Sequence, residues 1–286
     1  MKQILVFTGL AVLFMLSCQG GNNRASQMVK NDQVLSDTIA CARLEEGFEK
    51  QFAAIEAEYD SASAERKLEL EADFEQVDQE MVEAQKQFIS EYPASSLSLN
   101  ILNEIDWSFT SASEFRIYLE LLDSSLHENS QYKMLDRLIR NMEMVEVGKQ
   151  APDFAMLDVK GTPRKLSDLY TGSKYLLLDF WASNCGPCRI ENRNIVIAYE
   201  VYHDRGFDVL GVSTDTRKDS WLAAIEKDEL IWTNVCSLEP WNENEVVGTY
   251  ALRQVSQNFL LDNSGKIIAT DLRGEDLMST LEELFR

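Results

Sequence analysis

The stretch Leu178-Asp179-Phe180-Trp181-Ala182-Ser183-Asn184-Cys185-Gly186-Pro187-Cys188-Arg189 decides how this 286-residue chain is read. Leading into it, Tyr175-Leu176-Leu177-Leu178-Asp179-Phe180 is an apolar run broken by one acid, the pattern of a strand buried on both faces. Leading out of it, a helical pattern runs from about Pro187 to Tyr202. The two cysteines therefore fall at a strand-to-helix junction. Three apart across a helix's first turn, they can close a small disulfide. Unpaired N–H groups and the helix dipole favour a thiolate at Cys185. Pro187 suits an early helical position because the N–H it lacks would be orphaned anyway. The expected chemistry is attack by Cys185, the more exposed thiol, on a substrate disulfide, followed by displacement of the product by Cys188. Asp179, six residues before Cys185, is expected to be desolvated with a raised pKa. It would take the Cys188 proton, directly or through a water.

The same alternation of strands and helices extends on both sides. Phe207–Val212 reads as a strand and Ser220–Lys227 as a helix. Asn258–Leu261 and Lys266–Thr270 read as a hairpin around Asp262-Asn263-Ser264-Gly265, with Gly265 supplying positive φ, and Glu275–Phe285 closes as an amphipathic helix. The expected class is α/β, a mixed sheet flanked by helices, over residues 147–286. Residues 26–146 follow different rules, with one proline (Pro93) and one glycine (Gly47). Apolar residues at 44, 48, 52, 55 and 59, then at 70, 74, 77, 81, 84 and 88, predict amphipathic helices whose stripe serves packing within the chain or between copies. Tyr59–Ser63 is a turn between two helices or a weak patch inside one. Pro93 ends the pattern. Further helices are expected near Leu97–Ile105, Ser113–Leu122 with a Ser113 cap, and Tyr132–Met144.

The first residues read as an address. Lys2 precedes a largely apolar run of 13 residues, Ile4–Leu16, where a membrane-spanning helix needs about 20. Residues 1–17 are thus expected to be an export signal, and 18–25 a polar tether. Ser17-Cys18 at the end of the run resembles a bacterial lipoprotein signal, which implies lipidation of Cys18 and a membrane anchor. The alternative is an ordinary secretory peptide. Either places the chain outside the cytoplasm, in a cell envelope or periplasm, where disulfides persist.

Composition narrows the function. The net charge is −21, from 27 basic and 48 acidic residues. Residues 26–146 contribute −16 and residues 147–286 contribute −7. So acidic a surface disfavours nucleic acid as a partner. The acidic helices read as a solvated face, or as a docking surface for a basic partner. With only His127 and His203, a His-based metal site or Ser-His-Asp hydrolase is disfavoured, and no metal or cofactor is expected. Cys41 and Cys236 either pair or stay as two buried thiols.

With these residues in view, the segment Leu178–Arg189 resembles the active-site segment of the thioredoxin superfamily. Gly148-Lys149-Gln150-Ala151-Pro152-Asp153-Phe154, Gly161, Leu166-Ser167-Asp168-Leu169, Glu191 and Phe259–Ile268 resemble the TlpA/ResA-like thiol–disulfide oxidoreductases, over about 147–286. More weakly, Phe88–Val145 is similar to the region before this domain in lipoprotein members from Bacteroidetes-type bacteria. The resemblance implies a thioredoxin-like fold and a redox pair Cys185–Cys188 supported by Gly186 and Pro187, with Trp181 packing beneath the site. It also implies protein thiol or disulfide substrates and electrons from a membrane-bound thiol relay. Glu191 either influences the thiols' electrostatics or is an exposed helix carboxylate. Three positions depart from the family pattern. Ser256 stands where the family has its cis-proline. A non-proline cis bond costs about 3–4 kcal/mol, so Val255–Ser256 is expected to be trans, or cis under strain. In the family that loop offers backbone to substrate, so Val255 and Ser256 bear on docking, and loss of the proline would alter docking or open the dithiol to metal. Asn184 and Arg193 replace a common aromatic and a helix-kinking proline. The leading expectation is reduction of envelope protein disulfides. A redox-inactive adaptor is the alternative, and a peroxidase is disfavoured because Phe180–Asn184 lacks the Pro and Thr that precede a lone peroxidatic cysteine.

Overall fold

The computed structural model describes residues 24–105, 111–252 and 254–286, with side chains from residue 35 onward. Its contacts divide into two units, one ending at Ile139 and the other running Arg140–Arg286.

The first unit is helical. α1 (Arg24–Tyr59) and α2 (Ala64–Glu91) are joined by a turn at residues 60–63, which settles the two readings of Tyr59–Ser63. Ser63 Oγ caps α2 by accepting from the Arg66 N–H at 3.3 Å. Along α1 the partly buried positions from 44 onward are Leu44, Phe48, Phe52, Ile55 and Tyr59, as the spacing predicts. They pack within the chain: the Phe52 and Phe74 rings lie 4.8 Å apart. α2 stops before Pro93, and α3 (Ser96–Glu104), α4 (Ala112–Leu121) and α5 (Ser130–Met144) follow. The cap of α4 is Ser111 rather than Ser113, with its Oγ accepting from the Glu114 N–H at 3.2 Å. Ser113 lies inside the first turn. Ile89, Leu102, Phe115, Leu119 and Leu135 are fully buried. The buried Lys86 ammonium ties α2 to α4, at 2.8 Å from Glu83 and 2.7 Å from Glu114.

The second unit opens with an antiparallel ribbon of β1 (Ala155–Leu157) and β2 (Pro163–Lys165), then α6 (Leu166–Gly172). β3 (Tyr175–Trp181), α7 (Gly186–Tyr202), β4 (Phe207–Ser213), α8 (Lys218–Asp228) and β5 (Thr233–Cys236) come next. α9 (Glu245–Thr249), β6 (Gln257–Asp262), β7 (Ile267–Thr270) and α10 (Gly274–Leu284) complete it. The five-stranded sheet has the order β5-β4-β3-β6-β7. β3 runs parallel to β4 and antiparallel to β6. This is the thioredoxin-like arrangement, a mixed sheet flanked by helices. Isolated bridges join Asp158 to Val235 and Gln150 to Lys266. The elements expected from the sequence form within a residue or two. The β1–β2 ribbon, α6, β5 and α9 were not expected, because three to seven residues carry no readable periodicity.

Strand β3 is buried on both faces because side chains alternate across it. Leu176, Leu178 and Phe180 enter one core with Leu210, Phe259 and Tyr250. Leu177 and Trp181 enter the other with Cys188, Ile195, Leu260 and Leu277. Asp179 shares the second parity, so the one acid of the run points to the side on which Cys188 is buried. Close packing around Trp181 depends on glycine in β4. A Cβ at Gly211 would lie 2.3 Å from Asn234 Oδ1 and 3.1 Å from Trp181 Nε1. Gly265 has φ +81° at the β6–β7 turn, as expected.

No helix among the described residues is long and apolar enough to cross a membrane. The expected signal, Cys18 and tether residues 18–23 lie outside the described residues, whereas residues 24 and 25, expected in the tether, already belong to α1.

Candidate active site

Cys185 is the N-cap of α7, and Pro187 occupies its first turn. The two cysteines are joined as a disulfide, with Cα atoms 5.3 Å apart. Cys185 is half-buried between exposed Asn184 and Gly186, whereas Cys188 is buried in the core. Cys185 Sγ accepts from the Cys188 N–H at 3.2 Å. The orphan donors of the helix start are thus aimed at the sulfur that would carry negative charge after reduction.

The loop before Cys185 is pinned from two sides. Asp215, just after β4, accepts from the Ser183 N–H at 2.9 Å, from Ser183 Oγ at 2.5 Å and from Ser213 Oγ at 2.8 Å. Arg189 Nη1 donates to the Ser183 carbonyl at 2.9 Å. The other edge of that guanidinium pairs with both carboxylate oxygens of Asp228 at the end of α8, and Asn192 donates to Asp228 at 2.9 Å. Arg189 and Asp228 are both partly buried, so this bidentate pair is more than a surface contact. The sequence offered Arg189 within the motif but no role for it. Nothing local to Asp215 or Asp228 marks them.

Asp179 is buried, and its carboxyl is pushed up to about 7. Burial is the main cause, the negative charge of Glu191 adds to it, and Arg273 opposes it. Glu191 is buried, not an exposed helix carboxylate. Its Oε1 accepts from the Gly274 N–H at 3.0 Å and its Oε2 from Asn194 at 2.9 Å. Trp181 is buried in the core beside Cys188. The site therefore holds an accessible sulfur, a buried sulfur, and on the same side of the sheet a carboxyl able to exchange a proton near neutrality.

Position 256 resolves differently from the family pattern. No cis peptide bond occurs among the described residues, so Val255–Ser256 is trans. Ser256 instead takes φ +82°, a region that costs a non-glycine residue about 1–3 kcal/mol. Its N–H donates to the Phe180 carbonyl at 3.0 Å, continuing the β3–β6 pairing. Arg273 Nη1 donates to Ser256 Oγ at 2.6 Å, and Nη2 donates to the Ser256 carbonyl. Val255 is half-exposed and packs, as Cys185 does, against the cluster containing Cys188. Cys41 and Cys236 are free thiols, both buried. Burial pushes Cys41 up to about 12 and raises Cys236, whose Sγ donates to the Asp215 carbonyl at 3.2 Å. Among the described residues no group of three or more His, Cys, Asp or Glu side chains gathers as a metal-binding set.

The chain shares sequence with known proteins over its second unit. The model of the AhpC/TSA family matches residues 147–270. The thiol–disulfide oxidoreductase ResA of Geobacillus kaustophilus is 30% identical over 156 residues, covering 54% of this chain and 86% of the relative. ResA of Bacillus thuringiensis subsp. konkukian is 26% identical over 144 residues, covering 50% and 79%. Among solved structures, the thioredoxin domain of a thiol–disulfide oxidoreductase from Bacteroides vulgatus is 36% identical with a TM-score of 0.46, covering 49% of this chain and 99% of that one. With a disulfide-bonded Cys185–Cys188 pair on a thioredoxin-like sheet and relatives at this level, the chain belongs to the ResA family of thiol–disulfide oxidoreductases.

Proposed function

We propose that this protein is an extracytoplasmic oxidoreductase whose Cys185-Gly186-Pro187-Cys188 dithiol reduces protein disulfides in the cell envelope. Residues 147–286 form the catalytic domain, residues 26–146 form an acidic helical domain, and Cys18 carries a lipid that anchors the chain to a membrane. The single observation that carries the catalytic part is the asymmetry of the pair. Cys185 is reachable at the start of α7, Cys188 is buried, and Asp179 lies on the Cys188 side of β3.

The reaction follows from that asymmetry. The reduced Cys185 thiolate attacks one sulfur of a substrate disulfide, forming a mixed disulfide and releasing the other sulfur as thiolate. Asp179 takes the proton of Cys188. The Cys188 thiolate then attacks Cys185 Sγ, expels the second substrate thiolate and leaves the Cys185–Cys188 disulfide. Two electrons pass to the substrate, and a membrane-bound thiol relay returns them to the protein. The test is turbidimetric reduction of insulin with dithiothreitol. The proposal expects a rate well above that of Cys185→Ser. Equality of the two would favour the second reading, a redox-inactive adaptor, to which the serine at the family's proline position lends its one argument.

A further inference from the structure

Position 256 carries a serine in a left-handed backbone conformation, a combination that needs outside support. Arg273 supplies that support from its side chain. Arg273 reaches Ser256 with both terminal nitrogens, one to its hydroxyl and one to its carbonyl. Ser256 is buried and its N–H is committed to Phe180, so the residue is fixed on three atoms. Arg273 is also the N-cap residue of α10, and the next residue, Gly274, gives its N–H to Glu191. The clamp is therefore anchored to α7, which starts at the dithiol.

We propose that Arg273 is a positioning residue of the redox site, whose forked contact with Ser256 replaces the ring of a proline and sets the backbone at Val255 and Ser256 on which an extended disulfide substrate docks. The docking part rests on reading Cys185–Cys188 as a dithiol that reduces protein disulfides. The clamp itself does not. Arginine suits the task because its planar fork addresses two acceptors at once, which a lysine ammonium does with less definition. The same guanidinium faces Asp271, whose carboxyl is raised by burial and lowered by Arg273. It also opposes the rise at Asp179, which Glu191 of α7 reinforces. Asp179's partners across the sheet, Asn258 of β6 and Gly211 of β4, carry no charge. Geometry and charge therefore have separable signatures.

The experiment compares wild type, Arg273→Gln and Arg273→Lys in the full chain. Amide exchange at Ser256 reads the clamp without any assay of activity. Loss of the fork should raise Ser256 exchange by at least about tenfold in both variants, with Leu177 and Leu260 unchanged. Unchanged Ser256 exchange in a folded variant overturns the clamp, and Arg273→Lys carries the measurement if Arg273→Gln does not fold. For docking, Arg273→Gln should raise KM for a peptide disulfide by about fivefold or more, while reduction of 5,5′-dithiobis(2-nitrobenzoate) stays within about twofold. Equal losses on both disulfides overturn the docking role. The Asp179 carboxyl, followed by carbon NMR, should titrate higher in Arg273→Gln and stay near its wild-type midpoint in Arg273→Lys. A wild type that reduces no peptide disulfide while Ser256 exchange still rises in the variants refutes the reductase reading and the docking role, and leaves the clamp standing.

Discussion

Glu191 Oε1 accepts the backbone N–H of Gly274 at 3.0 Å, so the helix that begins at the dithiol is tied to the first turn of the helix that closes the unit. The carboxylate satisfies an orphan donor of α10 and places negative charge near Asp179. Glu191→Gln should therefore have two effects. The Asp179 midpoint moves below its value of about 7, read from the pH dependence of release of the mixed disulfide. Urea unfolding shows a loss of about 1 kcal/mol from the weakened helix start. A midpoint that stays or rises would contradict the assigned charge effect.

Asp179→Asn should slow release of the mixed disulfide by about 10- to 100-fold and abolish the rise in that rate as pH passes through 7. The stability effect has a definite sign. Asp179 is pushed up in the folded state, so between its ordinary value near 4 and about 7 the folded chain holds a proton that the unfolded chain does not. Stability from this group is complete at low pH and falls as pH rises through that window. Asparagine removes the fall. The variant should gain on the order of a few kcal/mol relative to wild type at pH 8 over pH 4, measured by urea unfolding at both.

Cys188→Ser should accumulate mixed disulfides through Cys185, visible as dithiothreitol-sensitive adducts on non-reducing gels, and Cys185→Ser should accumulate none. The exposure of Cys185 and the burial of Cys188 set this asymmetry. Adducts on Cys188 in the Cys185→Ser protein would reverse the assigned roles.

The bidentate Arg189–Asp228 pair is partly buried and holds the Ser183 carbonyl as well. Arg189→Ala and Asp228→Ala should each cost about 1–3 kcal/mol, and the double variant less than their sum, because either deletion strands the other group. Denaturant unfolding of the four proteins gives the coupling. Additivity would mean that the two side chains act independently.

Gly211→Ala forces a methyl group to within 2.3 Å of Asn234 Oδ1 and 3.1 Å of Trp181 Nε1. Asn234 is itself fixed by bonds to the Leu230 and Trp232 carbonyls, so it yields poorly. A loss of about 1–3 kcal/mol is expected from overpacking. Adding Asn234→Ala should recover part of it. A neutral Gly211→Ala would show that β5 shifts more freely than its bonds suggest.

Local signals were legible in the sequence, and distant pairings were not. The strands at 175–181 and 207–213 and the cysteine pair declare themselves because burial on both faces and a helix start each leave a contiguous mark. Asp179 was readable for the same reason, as one acid in an apolar run. The partners that hold the site are separated by 17 residues for Ser256 and Arg273, 32 for Ser183 and Asp215, and 39 for Arg189 and Asp228. Only the folded sheet brings them together, and a single sequence carries no trace of such pairings. Ser256 shows the limit most clearly. The sequence marks the missing proline but not the positive φ, nor the arginine that supports it. In the helical unit, the stripe on α1 was legible and the cap of α4 slipped by two residues, because Ser111 and Ser113 are equally good caps by type.

The bridges from Gln150 to Lys266 and from Asp158 to Val235 have a further consequence. β7 and β5 are the two outer strands of the sheet, and an outer strand offers unpaired N–H and C=O groups to any other chain. Both bridges come from the short segment that precedes the sheet, so the same few residues meet β5 through Val235 and the start of β7 beside Ile267. Each bridge thus occupies part of an edge that the strand order alone would leave open. A chain shortened past Asp158 would keep its dithiol and its central strands, and would present two open edges to its neighbours.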